Sequence, residues 1–306
     1  MANIREIQSR MKSIQDTMKI TNAMYMISST KLRKARKSLE KTEPYFFTLQ
    51  SMVTSIVKDS HQKDNIYFDQ RKKKKPEDKI VAFVVVTADK GMAGSYNHNV
   101  LKKTLENIKK CNNYKLFVVG ETGRRFFKNR HISVEEYFNY TAQNPSLHRA
   151  RVISEIVLEQ FKSGEIDEAY IIYTSMKNSI TTEISTMRLL PLVQEELVED
   201  EEDSRLYNEE ILFNPSAEVV LNNIIPDYVM GYIYGALVES FCSEHNSRMM
   251  AMEAANKNAT AMVHNLSTEF NRVRQAMITQ EITEIISGAK AQSKKKKARK
   301  EGRQIE

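Results

Sequence analysis

From Val238 to Ser287 the chain contains neither glycine nor proline, and its apolar residues there keep the period of a coiled coil. Ala259, Val263, Leu266, Phe270, Val273 and Met277 follow one another at alternating steps of four and three. Such a stripe is the seam by which one helix lies along another. After Met277 the stripe restarts at Ile278 and runs through Ile282, Ile285 and Ala289, one position out of phase. A slip of this kind rotates the seam onto a new partner, or marks where the helix outlives its partner. At 1.5 Å per residue, about 50 uninterrupted residues reach ~75 Å. A rod of that length needs something wrapped around it.

The N-terminal segment repeats the pattern. Ile4, Ile7, Met11, Ile14 and Met18 alternate three and four, and the grid continues through Thr21, Tyr25, Ser28, Leu32, Ala35 and Leu39. A second stripe, Ile20, Met24 and Ile27, runs beside it, so this helix needs more than one partner surface. Pro44 lacks a donor and is expected to kink or divide the helix. Two sequence-distant helices with matching seams pair best with each other, antiparallel, with the middle of the chain as their connection.

In that middle the period changes. Ile80 to Val86 is a continuous, mostly β-branched run, the mark of a strand buried on both faces. Lys115 to Gly120 and Ala169 to Thr174 read the same way, and Ser133 to Tyr137 and Thr186 to Val193 are further candidates. Helical stretches intervene at 97–110, from Thr122 and at 150–161. Strands alternating with helices predict a parallel, doubly wound sheet. The expected organisation is a helix over 1–58, a basic loop over 59–79 and an α/β domain over 80–194. An acidic linker follows at 195–213, then a helix over 214–291 and a basic, disordered tail over 292–306. Asn214 and Pro215 suit the cap and first turn of the last helix, and Pro226 is expected to kink it.

Composition excludes several classes of function. Net charge is +7, with lysine and arginine crowded towards the two ends. The two cysteines, Cys111 and Cys242, are far apart and imply neither a disulfide framework nor a zinc site. No run of 18 uncharged apolar residues marks a membrane span. Gly91-x-x-Gly94 and Gly120-x-x-Gly123 follow strands but lack the lysine and hydroxyl of a phosphate loop, and neither has the dinucleotide spacing. They read as tight turns needing positive φ, with Asp89 as a turn cap. The six histidines are scattered, and none pairs with a cysteine or acid at ligand spacing. No catalytic, cofactor or metal site is expected. The basic runs lack the interleaved aromatics of a nucleic-acid module, so a face meeting solvent or an acidic protein is favoured. A coiled-coil adaptor gripping nucleic acid or a membrane through its basic ends is the competing reading. Arg248, Arg272, Arg274, Glu281 and Glu284 are either flanking positions in intrahelical pairs or fixed polar contacts on a shaft.

Ile278-Thr279-Gln280-Glu281-Ile282-Thr283-Glu284, continued by Gly288-Ala289, resembles the C-terminal signature of the ATP synthase gamma subunit family. Glu244 to Met249, Phe270 to Ala276, Lys19 to Ile27 with Lys31-Leu32-Arg33, and the turn Ala88 to Gly94 resemble the same family. The resemblance implies an α/β fold in which long N- and C-terminal helices form an antiparallel coiled coil with a central Rossmann-like α/β domain. It implies a non-catalytic rotor shaft without cofactors, one copy per complex. Its partners would be a ring of three alpha and three beta subunits, the epsilon subunit and the membrane c-ring, on the cytoplasmic face of the cell membrane. By motif position it implies that Met24, Arg248, Arg274, Gln275, Thr279, Glu281 and Glu284 couple the shaft to the ring. Ile278, Ile282, Ile285 and Ala289 would form its apolar tip. The family usually ends soon after Gly-Ala, whereas here a basic tail follows. The cysteine-bearing insertion of the light-regulated chloroplast relatives is missing, so thiol switching is not expected.

Overall fold

The computed structural model describes residues 4–60, 65–71, 74–178, 181–193, 214 and 216–301. The expected acidic linker, 195–213, lies outside them, as do residues 302–306 of the expected tail. Two units are resolved, Met1–Met24 with Met252–Glu306, and Tyr25–Ala251. Helix α1, Ile4–Ser60, and the last helix, here α5, Ala217–Glu301, contribute to both.

In the first unit the seam positions are the ones that leave water. Ile7 is buried, and Ile4, Met11, Ile14, Met18 and Thr21 are half-buried among exposed neighbours. Opposite them on α5, Met252 is buried, and Asn256, Ala259, Val263, Leu266, Phe270 and Val273 are half-buried. The Thr21 hydroxyl donates to the Asn256 side-chain carbonyl, which fixes the register. Seventeen positions separate Ile4 from Thr21, and seventeen separate Asn256 from Val273, the last seam residue shielded from water. That equality is what an antiparallel pair gives. Beyond Val273 every side chain described through Ser293 is exposed. Of the two readings of the phase slip, α5 outliving its partner is the one found. Its backbone stays helical past position 292 to Glu301.

The second unit is built on a four-stranded sheet in the order β2-β1-β3-β4. Its strands are β1, Ile80–Val86, β2, Asn113–Val119, β3, Glu168–Met176, and β4, Thr182–Leu190. β1 pairs parallel to β2 and β3, placing Val84 between Phe117 and Ile171. The uninterrupted apolar run of β1 has a direct cause. Ala82, Val84 and Val86 face a core shared with Phe117, Ile153, Val157 and Phe161, and with Val53 and Ile56 of α1. Val81, Phe83 and Val85 face a second core with Val100, Leu101 and Phe127. Each large side chain so buried is worth about 1.5–3 kcal/mol.

The sheet departs from expectation in two places. β4 runs antiparallel to β3, so the sheet is mixed, and it starts four residues before the expected Thr186. Its first half is polar and largely exposed, which hides an edge strand from a search for apolar runs. Ser133 to Tyr137 is not a strand. It is held to the sheet edge by the Glu135 amide on the Leu116 carbonyl and by buried Phe138 against Phe117. Of the two outcomes expected at Pro44, a kink or a division, division does not occur, although Pro44 withholds the helix donor that the Glu40 carbonyl would receive. The remaining helices are α2, Tyr96–Ile108, α3, Glu121–Lys128, and α4, Leu147–Ser163. The cap of α5 is Ser216, whose hydroxyl accepts from the Val219 amide at 3.3 Å, two residues later than the expected Asn214. In the basic loop, Lys74 is spent internally. Its ammonium lies 2.7 Å from Asp167, whose side chain is fully buried. No described helix is long and apolar enough to cross a membrane.

Candidate functional site

The chemistry-bearing residues fall into two groups, one in each unit. The group in the sheet-containing unit sits where β1 ends. Thr87 takes its amide to the Val119 carbonyl at 2.9 Å, and its hydroxyl accepts from the Gly123 amide at 3.1 Å. Asp89 accepts from the amides of Glu121, Ala142 and Gln143 at 3.1–3.2 Å. The Ala88 carbonyl accepts from Thr122. The amides that open α3 are therefore taken by the chain's own oxygens, at the place where a nucleotide fold would present them to phosphate. Asp89 is the turn cap its position suggested. Gly120 holds φ +96, and a Cβ there would stand 2.2 Å from the Thr87 carbonyl oxygen. Gly94 also has positive φ. Gly91 and Gly123 do not, so the expectation of positive φ holds for two of the four glycines. Gly123 is needed instead because a Cβ would meet Thr87 Oγ1 at 2.5 Å.

α5 is fastened to this turn by a run of buried polar side chains. Arg248 is 6 % exposed. Its Nη2 lies 2.6 Å from Glu244 Oε1 and donates to the carbonyls of Gly91 and Lys90 at 3.2 and 3.4 Å. Its Nη1 lies 3.3 Å from His245 Nδ1. Burial raises the Glu244 carboxyl above its ordinary value, against the pull of Arg248. His245 packs edge-on against Phe241, and burial, then Arg248 and Lys31, push its pKa down to about 4. The Tyr96 hydroxyl meets Ser240 Oγ at 2.7 Å, and burial raises its pKa. Among the sequence-predicted coupling residues Arg248 thus stands apart, because its guanidinium is engaged inside the chain. The intrahelical pair weighed for Arg248 from the sequence is present. Glu244 and Arg248 are one helical turn apart, an ion-pair spacing, and small Ser240 and Ser243 precede them on the same helix.

The second group lies on α5 beyond the seam. Arg274, Gln275, Thr279, Glu281 and Glu284 are all exposed. The Thr279 hydroxyl donates back to the Gln275 carbonyl at 2.9 Å, and the Gln280 amide to Glu284 at 3.0 Å. Ile278, Ile282 and Ile285 are 47 %, 51 % and 72 % exposed, and Ala289 is exposed beside them. On α1, Met24 is half-buried, whereas Ile20 is exposed. Among the described residues no three histidine, cysteine or acidic side chains are grouped to hold a metal.

The model of the family described as ATP synthase matches residues 3–292. The chain is 45 % identical over 295 residues to the ATP synthase gamma chain of Acetivibrio thermocellus, covering 95 % of this chain and 99 % of that one. This chain belongs to the ATP synthase gamma chain family. It is also 40 % identical to the sodium ion specific gamma chain of Acetobacterium woodii, over 94 % of this chain and 98 % of that relative. The fold recurs in the mitochondrial ATP synthase of Euglena gracilis, in a chain of its OSCP/F1/c-ring structure. There the TM-score is 0.63 at 18 % identity, with 94 % of each chain covered. A chain of the central stalk/c-ring structure from Tetrahymena thermophila gives 0.57 at 25 % identity, over 77 % of this chain and 99 % of that one. Family membership accounts for the seam at both ends.

Proposed function

We propose that this gamma chain is the non-catalytic rotating shaft of its ATP synthase. In this reading one copy stands within a ring of three alpha and three beta subunits. It engages the epsilon subunit and the membrane c-ring on the cytoplasmic face of the cell membrane. The observation that carries the reading is the end of α5. The helix continues past its last shielded seam residue, Val273, with apolar Ile278, Ile282 and Ile285 turned to solvent. A shaft must transmit torque, which the two-helix seam serves by stiffness. It must also turn without falling into deep wells, which an apolar, weakly directional tip serves. Arg274, Gln275, Thr279, Glu281 and Glu284 are the polar handles through which shaft angle is read by the ring, and Met24 is a further contact on α1. Ion flow turns the shaft, and its asymmetric faces meet each beta subunit in turn. The bonds of ATP are made and broken on those subunits.

The test is purification of the native assembly through an internal tag beside Lys75, followed by native mass spectrometry. One copy of this chain with three each of two larger subunits, in a particle that hydrolyses magnesium ATP, is expected. Recovery of the chain alone, or with nucleic acid that salt removes, overturns the reading in favour of an adaptor.

A further inference from the structure

In the sheet-containing unit a groove of about 200 Å³ opens beside α1 and α5, lined by Glu43, Phe46, Phe47, Tyr173, Gly235 and Glu239. Its floor is open because Gly235 carries no side chain, and a Cβ built there would meet nothing within 4 Å. One turn earlier the opposite holds. At Gly231 the Phe46 ring fills the place of a side chain, with Cδ1 2.3 Å from where a Cβ would be.

The electrostatics of the groove run against the chain as a whole, whose net charge is +7. Two carboxylates, Glu43 and Glu239, and the Gln50 amide line a wall that is otherwise aromatic and apolar. Burial raises the Glu239 carboxyl above its ordinary value, and Glu43 adds to the effect. Burial and then Glu239 push the Tyr173 phenol up to about 12. Among the described residues neither carboxylate has a lysine or arginine partner. Glu239 is half-buried and Glu43 stands exposed at the rim, and a half-buried acid without a counter-charge is costly unless a cation arrives to meet it. The volume falls below the roughly 300–1,000 Å³ of pockets that hold small molecules, so the groove suits one long side chain better than a cofactor. Aromatic walls and two carboxylates select among cations. A planar guanidinium stacks on rings and donates in several directions at once, whereas an ammonium offers only a compact charge.

We propose that this groove receives an arginine side chain from another protein subunit of the assembled complex. The proposal rests on the reading of this chain as a subunit of the ATP synthase. To test it, Phe47, which is 59 % exposed, is replaced by photoreactive benzoylphenylalanine in the whole complex. The sample is illuminated and the adducts are mapped by mass spectrometry. An adduct on another subunit within a few residues of an arginine is expected. Its yield should fall at least about tenfold in the isosteric Glu43→Gln/Glu239→Gln variant, because the carboxylates that meet the guanidinium have been lost. It should fall similarly in Gly235→Leu, which fills the floor. Adducts only within this chain or on lipid, adducts on a partner segment without arginine, or an unchanged yield in the double variant overturn the proposal. The wild-type adduct map decides even where a variant assembles poorly. Failure of the functional reading looks different, because the chain then does not co-purify with the ATP synthase at all.

Discussion

Arg248→Met tests how α5 is fastened to the turn after β1. Methionine keeps much of the stem volume while removing the ion pair to Glu244 and the bonds to the Lys90 and Gly91 carbonyls. Both side chains of the pair are 8 % exposed, so the substitution leaves a carboxylate desolvated and without its cation. Breaking such a pair by removing one partner costs about 3–5 kcal/mol. Glu244→Gln/Arg248→Met removes both charges and is expected to cost only about 1–2 kcal/mol, chiefly lost hydrogen bonds. The pH dependence separates the two. Burial already raises the Glu244 carboxyl, and without Arg248 it rises further, so the folded state then binds a proton more tightly than the unfolded state. The excess cost of the single variant is therefore largest at high pH and shrinks as pH falls. His245 loses its repulsion from Arg248 in both variants and largely cancels in the comparison. Urea unfolding at about pH 8 and about pH 5.5, with hydrogen exchange of the 88–97 and 240–250 amides, measures both effects. A single variant within about 1 kcal/mol of the double at the higher pH, or an excess that grows in acid, refutes the argument.

His245→Asn should flatten the acid limb of the stability profile. The folded pKa of about 4 lies below the ordinary 6.5, so His245 contributes stability that is present above 6.5 and lost as pH falls towards 4. The loss is bounded at about 3 kcal/mol, and melting temperatures across that window measure it. Gly120→Ala forces a Cβ onto the Thr87 carbonyl at positive φ and should cost more than about 2 kcal/mol. An unchanged melting temperature would contradict the closeness of that turn. Leu266→Ala in the half-buried seam should lower the stability of the helical pair by about 1–2 kcal/mol. Ile285→Ala in the exposed end should stay within about 0.5 kcal/mol in the isolated chain, with helical circular dichroism as the readout.

The long helices, the seam and the two-faced burial of β1 were legible because each is a periodic signal repeated many times, and repetition averages out local exceptions. The antiparallel edge was not legible, because in the half of β4 that pairs with Thr174 to Met176 only Ile184 is apolar, half-buried against the second core beside exposed Thr182 and Glu183. Arg248 shows a different limit. Its motif position suggested a contact with another chain, but its partners Lys90 and Gly91 lie more than 150 residues away in sequence. Only folding makes them neighbours. His245 was read as one of several scattered histidines. Its depressed pKa comes from burial, then from Arg248 and Lys31; Arg248 stands at helical spacing, but the burial and the approach of Lys31 from α1 arise only on folding.

The phase slip at Met277 gains its meaning from the geometry of α5. At about 100° per residue, Val263, Leu266, Phe270 and Val273 project within one narrow sector, the side that lies along α1. Ile278, Ile282, Ile285 and Ala289 project into a sector turned by roughly 100° from it. Extending α1 would not cover them, since they face away from its track. In the proposed shaft reading the partner that meets them lies outside the chain and approaches from a different side. Four of the polar residues singled out from the sequence flank that sector, whereas Glu284 projects on the seam side. Arg274 and Glu281 flank the isoleucine sector on the edge nearer the seam, and Gln275 and Thr279 flank it on the far edge. In the proposed shaft reading, the exposed isoleucines with hydrogen-bonding groups along both margins serve as a track that can be gripped lightly and released, which is what a turning surface requires.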